Sequence, residues 1–122
     1  MQTESWFMWM ANGPEYANGS PTGRIIPIDW EWTILNLQFY QFSPMDYVGW
    51  RNELFDDHYG QRTGYNTRIY ETTVSWNHWF ANKNVGMRPE VRYDQQLDGE
   101  TPFDNGTKSR QLMAQMDLVV RY

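Results

Sequence analysis

The chain has 122 residues, 40% hydrophobic, 17% aromatic and 20% charged, with a net charge of −5 and no cysteine. That length sets one domain or a piece of one, and residues 1–122 read as a single unit. The acidic balance, the absence of any run of 18 apolar residues and the lack of thiols exclude three classes: nucleic-acid binders, helical membrane proteins and disulfide- or thiolate-metal-stapled folds.

Residues 3–10 form a first apolar run (Trp6, Phe7, Met8, Trp9, Met10). Residues 11–29 carry turn chemistry (Asn12-Gly13-Pro14, Asn18-Gly19-Ser20-Pro21, Gly23, Pro27) and predict a long loop. Residues 30–42 alternate, with Thr33, Leu35, Leu37 and Phe39 on one face and Asn36, Gln38 and Tyr40 on the other. After a tight turn at Ser43-Pro44-Met45-Asp46, residues 47–55 set Val48, Trp50 and Leu54 opposite Arg51 and Glu53, with Asn52 interrupting the apolar row.

Residues 56–64 are a second polar loop. Residues 65–80 are rich in β-formers and set Tyr70, Thr72, Val74 and Trp76 against Glu71, Thr73, Ser75 and Asn77. Residues 81–84 make a short turn. Residues 85–94 then alternate cleanly, Val85, Met87, Pro89, Val91 and Tyr93 against Gly86, Arg88, Glu90, Arg92 and Asp94. A third loop at 95–107 leads to the closing segment, 110–122.

That segment organises the rest. One row of it is Leu112, Ala114, Met116, Leu118, Val120 and Tyr122; the other is Gln111, Met113, Gln115, Asp117, Val119 and Arg121. Successive strand side chains point to opposite faces, so this is one long two-faced strand. Its length matches the about 9–11 tilted residues that cross hydrocarbon rather than the about 5–6 of an ordinary strand.

The expected fold is therefore all-β: an antiparallel up-and-down meander of about six long strands, part of a transmembrane β-barrel. The connections alternate long and short, as the two ends of such barrels do. Each apolar row (33–39, 70–76, 85–93, 112–122) is free of charge, and a lipid-facing Arg or Lys at mid-membrane costs roughly 2–4 kcal/mol. Aromatics near strand ends (Trp30, Trp32, Phe42, Tyr47, Tyr65, Trp79, Phe80, Tyr93, Tyr122) suit interfacial girdles. Six strands fall short of the about eight that close a spanning barrel, and Met1-Gln-Thr-Glu-Ser-Trp6 has no signal-peptide pattern. The chain is thus expected to be the carboxyl-terminal segment of a larger barrel.

Several motifs occur in order: Arg51-Asn-Glu-Leu-Phe-Asp-Asp-His-Tyr-Gly-Gln-Arg-Thr-Gly64, Met87-Arg-Pro-Glu-Val-Arg-Tyr-Asp94, Pro102-Phe-Asp-Asn-Gly-Thr-Lys108 and the terminal aromatic strand. Together they resemble the end of the OmpL-like bacterial outer-membrane porins. The resemblance implies a barrel that conducts small solutes or ions passively, sits in outer-membrane lipid and is recognised by the assembly machinery through its last strand.

On this reading Arg51, Glu53, Glu71, Arg88, Glu90, Arg92, Asp94, Asp117 and Arg121 are expected to line a pore. Leu112, Met116, Leu118, Val120 and Tyr122 are expected to face lipid. The alternative is a soluble β-sandwich or small barrel that stacks Trp and Tyr on carbohydrate or another small ligand. The two differ in whether the charge-free rows form an outer face or a closed core.

Other chemistry is weaker. His58 beside Asp56 and Asp57, with His78 distant, gives no metal-ligand spacing. Asp98, Glu100 and Asp104 do not match an EF-hand and read as turn residues. Asn18-Gly19-Ser20 and Asn105-Gly106-Thr107 match a glycosylation sequon that means little in a bacterium. Glu71 and Glu90 as a hydrolytic pair are outweighed by the charge a lumen carries anyway. No cofactor, no metal and no enzymatic activity are expected.

Overall fold

A computed structural model describes residues 2–121. Six strands, β1 (Gln2–Ala17), β2 (Ser20–Gln41), β3 (Asp46–Asp57), β4 (Thr67–Phe80), β5 (Val85–Gln96) and β6 (Arg110–Val120), pair antiparallel in sequence order in one sheet. Each strand pairs with its successor in the chain, and the sheet does not close on itself. Even the shortest, β6, has 11 residues, enough to cross hydrocarbon when tilted.

The long loop expected at 11–29 is instead a hairpin. Ala17 pairs with Ser20 across Asn18-Gly19, whose φ angles of 49° and 75° are those of a type I′ turn, the turn whose twist matches its flanking strands. Pro14, Pro21 and Pro27 are the residues that disguise these strands as loop. β2 pairs with β3 only from Glu31 onward, so its residues 20–30 lack a neighbour on that side. An edge of this kind tolerates proline, which has no N–H to donate.

The two faces are crowded very unequally. Among the described residues the buried polar side chains include Thr33, Glu71, Thr73, Asn77 and Asp94, while the one buried apolar residue is Ile26, in the hairpin extension. Val74, Val91, Met116 and Leu118 are 51%, 51%, 65% and 67% exposed. A flat sheet would leave both faces equally open. Crowding on the polar side marks it as concave, and a cavity of about 230 Å³ lined from Leu35 across to Glu90 lies there.

Register corrects one face. Leu35 lies opposite Glu53, and Leu37 opposite Arg51. The row Thr33, Leu35, Leu37, Phe39, expected to join the lipid-facing side, therefore shares the concave face with the charges. Ile34, Asn36, Gln38 and Tyr40 take the convex side. The polar atoms there pair among themselves: Asn36 donates to Thr3 Oγ1 (3.2 Å), Gln38 to Asn36 Oδ1 (3.2 Å), Tyr70 to Asn52 Oδ1 (2.8 Å) and Trp50 to Thr72 Oγ1 (3.0 Å). Where no water competes, a polar group is held only by such a partner.

The aromatic bands are also narrower than expected. Tyr40 and Trp76 sit in one convex row through Val48, with Phe80 beyond, at the short-turn end; Trp30, Trp32 and Tyr93 lie toward the other end. Tyr47 and Trp79 belong to the concave face instead. Trp79 lies flat over Gly86, where an added Cβ would come 2.8 Å from the ring, and the Arg121 guanidinium stacks on it at 4.4 Å. A glycine opposite an aromatic is what lets the ring lie down across the strand.

At the loop end, three connections gather. Tyr16 N donates to Tyr59 O and Gly19 N to Gly64 O, both at 2.9 Å. The Tyr65 ring lies beside Gly19 of the hairpin tip and Gly106 of the last loop. Loop 97–109 is latched by Asp98, which accepts from Arg68 N (2.7 Å) and Arg68 Nε (3.1 Å), while Leu97 N donates to Arg68 O (3.0 Å). The Arg68 side-chain hydrogen bonds hold the Asp98 carboxyl below the usual carboxylate range, against partial burial. A carboxylate with a depressed folded pKa stabilises fully above its unfolded value, about 3.9, and loses that contribution as pH falls through the folded one. The Leu97 amide is thus expected to lose its excess hydrogen-exchange protection in that acid window, and Asp98→Asn to lose it at pH 7. Unchanged protection in Asp98→Asn would refute the latch.

Candidate functional site: the concave polar face

Cross-strand pairing stacks the polar residues in rows. Glu53, Glu71, Asp94 and Gln111 occupy one row of four successive strands; Arg51, Thr73, Arg92 and Met113 occupy the next. An acidic row against one that carries two arginines lets every guanidinium reach a carboxylate diagonally. Arg51 bonds to Glu71 Oε1, Arg92 reaches Glu71 Oε2 (2.7 Å) and Asp94 Oδ1 (2.8 Å), Thr73 donates to Glu71 Oε1 (3.1 Å) and Gln111 donates to Asp94 Oδ2 (2.7 Å). Glu53 accepts from Thr33 Oγ1 (2.8 Å). Two rows nearer the short turns, Arg88 pairs with Asp117 and lies 3.7 Å from Glu90, which also accepts from Gln115.

So the register brings Arg51, Glu53, Glu71, Arg88, Glu90, Arg92, Asp94 and Asp117 onto one face in two clusters. Arg121 joins that face at its end, on Trp79. Leu112, Met116, Leu118 and Val120 stand on the convex face, 71%, 65%, 67% and 60% exposed. Tyr122 lies outside the described residues.

A third cluster was not expected from the sequence. Glu31 lies opposite Asp57, and Asp29 is two residues before Glu31 in β2, on the same concave face. Loop 58–66 folds over them. Asp57 Oδ2 accepts from Arg62 N (3.0 Å), Thr63 N (2.7 Å) and Thr63 Oγ1 (2.8 Å); Arg62 Nε donates to Glu31 Oε1 (2.7 Å) and its guanidinium sits 5.1 Å from the Trp6 ring centre. The signal was present: odd-numbered Asp29 and Glu31 continue the row Thr33, Leu35, Leu37. Carrying that row back into 11–29 would have set its phase by charge.

A polar, hydrogen-bonded concave face cannot pack a second layer, and a convex face whose Val74, Val91, Met116 and Leu118 are 51–67% exposed cannot sit in water without covering. No second layer exists among the described residues, as a sandwich would need. A curved sheet polar within and apolar without is the wall of a membrane β-barrel. The chain belongs to the beta-barrel porin-2, OmpL-like family, whose model matches residues 26–122. No curated protein and no solved structure matches it. Porin families in general work by passage, not catalysis.

Proposed function

We propose that this chain is part of the wall of a water-filled barrel in the bacterial outer membrane, through which small hydrophilic solutes or ions diffuse passively and without catalysis. The supporting observation is the inverted burial: Glu71 and Asp94 are 5% and 0% exposed while Leu118 and Val120, on the far side of the same sheet, are 67% and 60% exposed. Further strands complete the closure, since about eight are the fewest that span as a barrel. The concave charges, Arg51 to Arg121, border the water column, and the β6 strand is the segment the assembly machinery engages. The test is single-channel recording of the intact protein in planar bilayers. Stepwise conductance is the expected result. A membrane-inserted protein that passes no current would overturn the pore.

A further inference from the structure

Loop 58–66 turns back over the concave wall. Its contacts reach Glu31 and Trp6, both on that wall, and Gln61 donates to Pro14 O in the hairpin. Beneath it Asp29, Glu31 and Asp57 are 3%, 3% and 1% exposed. One oxygen of each (Asp29 Oδ1, Glu31 Oε2 and Asp57 Oδ1) is buried without a hydrogen-bond partner. Asp29 is the next residue to Glu31 along that face of β2, and Asp57 lies directly across from Glu31. Buried carboxylate oxygens left unpaired are costly, and the Arg62 side chain bonds only Glu31 here.

Elsewhere on the face the arginines are already engaged. Arg51 and Arg92 are held by Glu71 and Asp94, and Arg88 by Asp117 and Glu90. Each of those two groups keeps one carboxylate in excess, Glu53 beside the first and one of Glu90 and Asp117 in the second, whereas Asp29, Glu31 and Asp57 face Arg62 alone, so the largest surplus of negative charge on the wall lies there.

We propose that these three carboxylates are the cation-selecting point of the pathway, with Arg62 as a tethered counter-charge that a passing small cation displaces from Glu31. The proposal rests on the pore reading above. Among the described residues no group of three such side chains could hold a metal ion directly. The cation is therefore attracted through space and through its own water, strongly enough to enter and weakly enough to leave, as conduction requires. Arg62, seated on the Trp6 ring and one carboxylate, has a resting place beside the path and sets how much negative field is felt.

The test is the reversal potential of the intact protein in a planar bilayer under a KCl gradient. The wild type is expected to prefer K⁺ to Cl⁻. Asp29→Asn with Glu31→Gln is expected to lower that preference severalfold, and Arg62→Gln, which leaves the Asp57 bonds to the loop backbone in place, to raise it. The opposite signs guard against simple loop collapse, which would move both variants the same way. An anion-preferring wild type, an unchanged ratio in the double variant, or a fall in Arg62→Gln overturns the proposal while leaving the pore standing. Absence of any conductance in the wild type overturns both.

Discussion

Met116→Arg is expected to destabilise the folded, membrane-inserted protein by about 2–4 kcal/mol, the cost of a cationic side chain facing lipid near mid-membrane. Gln115→Arg, its neighbour on β6, is expected to stay within about 0.5 kcal/mol, as surface changes usually do. Gln115 lies on the concave face beside Glu90, which can take up the added charge. The contrast is diagnostic because Met116 is 65% exposed. In water so open a position accepts arginine with hardly any penalty, and only a hydrocarbon surrounding makes it expensive. Denaturant titration in lipid vesicles, followed by the fluorescence of the seven tryptophans, measures both. Equal, small losses for the two variants would remove the lipid from the convex face.

Glu71→Ala is expected to cost about 3 kcal/mol, the lower end of the range for breaking a buried pair. Glu71 is the hinge of the network, its side chain 7% exposed and bonded by Arg51, Arg92 and Thr73. Its removal leaves two guanidinium groups without that partner. The cost falls at that lower end because Arg51 and Arg92 are 36% and 32% exposed, so water recovers part of the loss. Arg92 retains Asp94 as well. A double-mutant cycle with Arg51→Ala isolates the pair, and a coupling near the about 0.5 kcal/mol of surface ion pairs would show the network to be superficial.

How far the sequence carries depends on where charge falls. β5 places Arg88, Glu90, Arg92 and Asp94 on its even-numbered row and β6 places Asp117 on its odd-numbered one, each against a charge-free row (85–93 and 112–122), so both phase and face are legible from alternation alone. In β2 neither row between Thr33 and Tyr40 bears a charge. Leu35, Leu37 and Phe39 then look like the lipid-facing side until pairing with Arg51 and Glu53 reverses them. A wide barrel can carry apolar side chains on its wet face beside charged ones, so hydrophobicity without charge does not decide which face is which. The 11–29 segment reads as loop for a different reason. Its prolines obscure strands that tolerate them because they run along an edge, although Asn18-Gly19 marks a hairpin. The alternation carries Asp29 and Glu31 onto the charged face, but that loop 58–66 covers them is not legible, because Arg62 and Glu31 are 31 positions apart and only the fold of that loop joins them.

The meeting of three loop-end segments at Tyr65 has an immunological corollary. The hairpin tip, the 58–66 turn and the last loop present one composite surface, because the Tyr65 phenol of the second lies beside Gly19 of the first and Gly106 of the third. An antibody raised against the native protein will find its epitope scattered over stretches distant in sequence, and it will lose that target when the protein is boiled in detergent.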